Sequence, residues 1–144
     1  DLKYQYLGAF DEAMIHIISQ KKKFERTPIV KLCENDGDQV LAFLRDDLLF
    51  VFNFHPFKSF NGYGILAPTG EYEHILSSDD PAFGGYGLID MKVKHLKEWL
   101  MLYLPARTAQ ILRWKKPEPG ETKNASKSKK SAGSIKKENK SKKK

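Results

Sequence analysis

The apolar positions of this 144-residue chain fall into two regimes. Over "YQYLGAFDEAMIHIISQKKK" they recur at Tyr4, Leu7, Phe10, Met14, Ile17 and Ile18, a spacing that gathers one greasy stripe on a helix. Lys21 to Lys23 close this segment, where cations suit the negative end of the helix dipole. From about Thr27 the period changes to short apolar runs split by turn residues. "IVKLC" (29–33) runs into "NDGD", whose Asp36-Gly37 is hairpin chemistry, and "QVLAFLR" (39–45) follows. Asp46-Asp47 marks a turn before "LLFVFNF" (48–54), which is almost continuously apolar. A strand apolar on both faces is a central one, covered on each side. A second sheet would supply one cover, and something outside this segment the other.

"APTGEY" (67–72) predicts a turn between two further strands, with Pro68 and Gly70 as punctuation. "EYEHILS" (71–77) alternates, and "EWLMLYL" (98–104) and "TAQILRW" (108–114) complete a set of roughly seven short strands. The expected fold class is mainly β: an antiparallel, Greek-key-like sandwich over 27–116, preceded by one amphipathic helix. Beyond Lys116 the only large apolar residue is Ile135, too little to offset the entropy of ordering. A disordered, Lys-rich tail is expected over 117–144.

The net charge of +7 invites a nucleic-acid reading until it is located. Ten lysines against three glutamates lie from Pro117 onward, which leaves fifteen basic and fifteen acidic side chains in residues 1–116. A nucleic-acid footprint belongs on the folded part as a basic patch, so no specific nucleic-acid partner is expected. No run of apolar residues is long enough to span a membrane. The amphipathic N-terminus does not read as a signal peptide, and a start on Asp1 reads as a piece of a longer chain. The single cysteine, Cys33, excludes an internal disulfide and fits a reducing, cytoplasmic setting.

Candidate chemistry centres on "SSDDPAFGGYG" (77–87). Asp79-Asp80 offers two carboxylates, the pair that glycosidic acid/base chemistry uses when both flank one cleft. Adjacent residues of an extended segment point to opposite sides, which favours the plainer reading of a turn cap ahead of Pro81. Gly84, Gly85 and Gly87 match neither the P-loop nor the dinucleotide spacing. They read as a tight loop needing positive φ, pinned to the body by Phe83 and Tyr86. His16, His55, His74 and His95 lack metal-ligand spacing, and Cys33 sits in a strand as an inert thiol, so no metal and no cofactor is expected. Tyr63, Trp99 and Trp114 are candidates for stacking on sugar rings or bases, with core or interface positions the plainer reading of each. Asn124-Ala125-Ser126 has the glycosylation pattern without any sign of a secretory route.

Four blocks, "LKYQYLGAFDEAM" (2–14), "DDLLFVFNFHPFKSF" (46–60), "SSDDPAFGGYG" (77–87) and "LYLPARTAQIL" (102–112), resemble in order the C-terminal part of glycogen/starch 1,4-α-glucan branching enzymes of glycoside hydrolase family 13. The resemblance covers residues 2–114 and implies that 1–26 is the last helix of a (β/α)8 catalytic barrel and 27–116 the all-β domain beside it. A barrel needs about 250 residues and does not fit here. The family's catalytic carboxylates sit on barrel strand ends, so the resemblance carries no catalytic residue onto this chain, and Asp79-Asp80 matches a sandwich motif. The implied partners are the barrel and, through the parent enzyme, α-glucan. The rival is a free-standing sandwich that binds carbohydrate or a polyanion. The outer face of the first helix separates them: a stripe left partly exposed calls for a missing barrel.

Overall fold

The computed structural model of the chain describes residues 4–96 and 99–117. The expected tail, with Asn124 and Ile135, lies outside the described residues apart from Pro117. Among the described residues one helix, α1 (Tyr4–Ser19), is followed by eight strands: β1 (Val30–Asn35), β2 (Val40–Arg45), β3 (Leu48–Asn53), β4 (Phe60–Leu66), β5 (Glu71–Ser77), β6 (Lys94–Leu96), β7 (Trp99–Leu104) and β8 (Thr108–Lys115). They form an antiparallel six-stranded sheet in the order β1-β2-β3-β8-β5-β6 and a two-stranded sheet of β4 and β7. The predicted β1–β2 hairpin turns at Asp36-Gly37, and the β2–β3 turn places Asp46 at φ 57°, a region short polar residues tolerate.

β3 is the central strand its composition demanded, and its two faces enter different cores. Leu49 and Val51 join Val40, Ala42, Leu44, Tyr72 and Leu112 against Ile65, Leu100, Leu102 and Leu104 of the small sheet. Leu48 and Phe50 join Ile111, Leu76 and Phe24 on the opposite face, beneath Phe10, Met14, Ile17 and Ile18 of α1. Each buried side chain of this size contributes about 1.5–3 kcal/mol, so both cores matter to stability. The second cover of β3 was expected from outside the segment; α1 supplies much of it, with Phe10, Met14, Ile17 and Ile18 packed against the cluster of Leu48, Phe50, Leu76 and Ile111.

The helix crosses that face from one end to the other. Phe10 meets Phe83 edge-on at 5.4 Å near its start, and Lys21 pairs with Asp47 of the β2–β3 turn just after its end. A 3₁₀ turn, Phe24–Arg26, then seats Phe24 on Phe50 at 6.0 Å, with the Arg45 guanidinium 4.5 Å from the Phe24 ring. One detail of the predicted stripe is corrected: Tyr4 and Leu7 point outward. The inward line runs through Phe10, Ala13, Met14, Ile17 and Ile18, and Tyr6 packs beside Gly84. Two wide-spaced aromatic and aliphatic positions at the helix start mimic the stripe without lying on it.

Candidate functional site

The "SSDDPAFGGYG" stretch is a loop assembled around its own polar side chains. Asp80 Oδ1 accepts from Ala82 N at 2.9 Å and caps the 3₁₀ turn Pro81–Phe83, as the turn reading of Asp-Pro expected. Asp79 is 3% exposed and faces the other way. Its carboxylate accepts backbone N–H groups from Tyr86 (3.3 Å), Ile89 (2.9 Å) and Leu88, and its carbonyl accepts from Gly87 at 2.7 Å. Both Asp79 oxygens are therefore committed to the main chain, and the two carboxylates share no cleft. Gly84 and Gly87 take φ 78° and 67°, as expected. Gly85 is needed for a different reason: a Cβ there would overlap the Asp79 carbonyl. Phe83 packs on Phe10, but Tyr86 is 84% exposed, so the loop is pinned by Asp79 and Phe83 rather than by Tyr86. A buried carboxylate that gathers backbone donors outbids an aromatic anchor here.

"FNFHP" is likewise a built turn. Asn53 is buried, donates to the Lys58, Leu104 and Pro105 carbonyls, and accepts from His55 N at 3.0 Å. His55 Nδ1 accepts from Phe57 N and Lys58 N, and the His55 carbonyl accepts from Arg107 N. Two separate sequence blocks, around Phe54 and around Pro105, thus close one end of the sandwich together.

The three stacking candidates are not brought together. Tyr63 is half-buried against the inter-sheet core, with its hydroxyl between Asn35 and Asp38. Trp114 also packs on that core, and its Nε1 donates to Thr69 O at 3.2 Å. Trp99 alone faces outward, 57% exposed.

Two arrangements escaped the sequence. His74 on β5 and His95 on β6 face each other, Nε2 to Nε2 at 3.1 Å. Burial first, then the His95 charge, depresses the His74 pKa to about 4, and burial lowers His95 as well. Among the described residues no third potential ligand converges on a metal-binding group. Twenty-one residues separate the pair, and only the β5–β6 register joins them. The second arrangement is a file of stacked rings on the helix side of the large sheet. Phe43 lies on Phe50 at 4.9 Å and on Phe52 at 6.0 Å, and Phe52 lies on Phe54 at 5.4 Å with planes 3° apart. Phe50 is buried beneath Phe24, whereas Phe54, 60% exposed, runs out past the cover of α1. It borders a depression of about 460 Å³ lined by Glu34, Asn35, Asp36, Gln39, Val40 and Leu41. The sequence signal was present in "LLFVFNF", where the period-two phenylalanines continue beyond the helix's reach.

No described helix is long and apolar enough to cross a membrane. The family model for the alpha amylase C-terminal all-beta domain matches residues 31–115. A 1,4-alpha-glucan-branching enzyme of Emericella nidulans is 38% identical over 122 residues, covering 77% of this chain and 18% of that protein. The Saccharomyces cerevisiae 1,4-alpha-glucan-branching enzyme is 32% identical over 121 residues, 77% of this chain and 17% of its own length. A chloroplastic/amyloplastic 1,4-alpha-glucan-branching enzyme of Oryza sativa is 38% identical over 95 residues, 65% of this chain and 12% of that protein. The chain thus spans less than a fifth of the length of these curated relatives. The match reaches from β1 to the end of β8 and takes in both sheets, so the chain belongs to the family of alpha amylase C-terminal all-beta domains.

Proposed function

We propose that this chain is the C-terminal part of a 1,4-alpha-glucan branching enzyme, and that its work is to hold the catalytic barrel of that enzyme. The observation that carries the reading is the ring file Phe43–Phe52–Phe54, which leaves the shelter of α1 and ends exposed. Tyr4, Leu7 and Ile15 of α1 are exposed as well. Such a surface favours a missing neighbour over a free-standing module, because apolar area left in water forgoes about 25 cal/mol per Å². Residues 1–26 are then the last barrel helix and 27–116 the all-β domain that braces it. The parent would break an α-1,4 bond through a covalent glycosyl-enzyme, release the reducing-end piece, and pass the glycosyl group to a 6-hydroxyl. The catalytic carboxylates would come from the barrel; Asp79 and Asp80, spent on the loop, take no part. A lone, half-buried Cys33 fits a reducing cytoplasm.

The test uses the full-length protein read from the frame that encodes this chain. It should convert amylose to a product with weakened iodine colour and new α-1,6 linkages on debranching. Residues 1–144 alone should not. A full-length protein without branching activity, or a 1–144 activity abolished by Asp79→Ala, would overturn the reading.

A further inference from the structure

The large sheet turns its ring file toward α1, and the small sheet turns a second apolar surface the opposite way. β4 and β7 pair with Leu66 opposite Trp99 and Gly64 opposite Met101. Leu66, Trp99 and Met101 are all exposed, while Ile65, Leu100, Leu102 and Leu104 of the same strands fill the inter-sheet core. The outward surface is kept low by glycine. A Cβ on Gly64 would stand 3.3 Å from Met101 Sδ and 3.5 Å from Trp99 Cε3, and one on Gly62 would stand 3.6 Å from Met101 Cε. The indole and the thioether therefore lie across the glycine strand instead of standing away from it.

Size and charge restrict what this surface takes. Two strands of six or seven residues make a face roughly 20 Å long and 10 Å wide, on the order of 200 Å². A stable protein interface needs about 800 Å² from each partner. The described outward positions, Gly62, Gly64, Leu66, Trp99, Met101 and Tyr103, carry no charge, so a polyanion finds no cation in the patch. A neighbour docked on the α1 side cannot reach it, because the whole sandwich stands between. We infer that this face is a platform for a neutral α-glucan chain, whose sugar rings lay their C–H faces on Trp99, with Met101 and Leu66 extending the contact. Aromatic side chains contribute large flat apolar area at low entropic cost, which suits a narrow polymer better than a globular partner. The inference rests on the branching-enzyme reading for the identity of the polymer, and it adds a holding site on the face remote from the barrel.

The full 144-residue chain and its Trp99→Ala variant would be run in native gels containing glycogen, with dextran sulfate as the charged control. The expected result is retardation by glycogen that weakens at least fivefold in Trp99→Ala, and no Trp99-dependent retardation by dextran sulfate. Gly64→Val, which lifts Trp99 and Met101 off the strand, should weaken retardation as well. Tryptophan fluorescence of a Trp114→Phe background should shift on adding maltoheptaose. Near-UV circular dichroism checks that each variant is folded. Wild-type migration unaffected by glycogen, retardation equal in wild type and folded Trp99→Ala, or a protein partner that competes for the face would overturn the proposal. Branching activity of the full-length protein is read separately, so failure of the parent reading and failure of the platform give different results.

Discussion

Replacing Gly85 by Ala adds a single methyl group, and the structure predicts that it costs more than any ordinary surface change. The new Cβ would occupy the space of the Asp79 carbonyl carbon and oxygen, which are main-chain atoms of the turn just past β5 and cannot rotate aside. Relief requires the loop to lift from Asp79. Lifting stretches the Tyr86, Leu88 and Ile89 N–H bonds to the carboxylate and the Gly87 bond to the carbonyl. Hydrogen bonds to a charged group are worth about 1.5–3 kcal/mol each, so losing one or two places the penalty on the order of 2–4 kcal/mol. For a domain near 100 residues that is a fall in Tm of about 10–25 °C.

Gly87 supplies the internal control. Its φ of 67° is the left-handed region, where Ala costs about 1 kcal/mol, and its nearest neighbours are Pro81 ring atoms at an ordinary 3.4 Å. Urea unfolding of the two single variants should thus rank Gly85→Ala well above Gly87→Ala. Asp79→Ala, which strands the same donors, should couple to Gly85→Ala by more than about 1 kcal/mol in a double-mutant cycle. The account fails if Gly85→Ala costs no more than Gly87→Ala, or if the Asp79 and Gly85 effects simply add.

His74 makes stability depend on pH. Its folded pKa near 4 lies below the ordinary 6.5, so as pH falls through 6.5 the unfolded chain gains a proton that the folded chain refuses until about 4. Stability present above pH 6.5 should fall by on the order of 3 kcal/mol between pH 6.5 and 4, and His74→Gln should flatten that stretch of the urea-midpoint profile. An unchanged profile in His74→Gln would contradict the buried, neutral pair with His95. Phe24→Ala removes a buried ring from Phe50 and from beneath the Arg45 guanidinium, and should cost about 3–5 kcal/mol by thermal melting. A loss under about 1 kcal/mol would mean that α1 and its following turn do not stabilise the large sheet.

Local chemistry made much of the fold legible. Asp36-Gly37 and Asp46-Asp47 gave their turns away, and β3 declared itself central through an unbroken apolar run. β4 was harder to see. Gly62 and Gly64 dilute its pattern, and those glycines are there because Trp99 and Met101 lie across them. Which side of α1 faces the sheet was misread at its first turn, since Tyr4 and Leu7 sit at spacings compatible with two adjacent stripes. The Asp79 hub was visible only as a loop. Nothing in the residues 77–89 says that one carboxylate gathers three backbone donors, because that depends on how the chain recurves after Gly84. The His74–His95 pair and the stacking of Phe43 on Phe50 and Phe52 are cross-strand facts, fixed by register rather than by neighbourhood in sequence.

The helix side of the large sheet is divided, and on the proposed reading the division says where the barrel would dock. α1 runs down the middle. On the β2–β3 side lie Phe43, Phe52 and Phe54; toward the β5–β6 edge Glu71 sits among Lys94 at 3.0 Å and Lys115 at 3.7 Å, and Glu73 holds Lys115 at 3.0 Å. These residues share the α1 face because Tyr72, between the two glutamates, enters the opposite core. An exposed ionic network is worth little to folding, and a neighbour covering it would have to desolvate four charges. On the branching-enzyme reading the barrel would therefore sit on the phenylalanine side. Phe54→Asp should separate the isolated chain from the full-length protein. In the isolated chain Phe54 is 60% exposed, so the change should cost under about 1 kcal/mol. In the full-length protein the exposed portion, roughly 100 Å² of ring, would be covered, and the loss should reach about 2–3 kcal/mol before the penalty of burying a carboxylate. Glu73→Lys should leave both within about 0.5 kcal/mol of each other. Equal losses for Phe54→Asp in the two contexts would mean that the ring file faces water in the parent as it does here, and the barrel contact would have to be sought elsewhere on the sandwich.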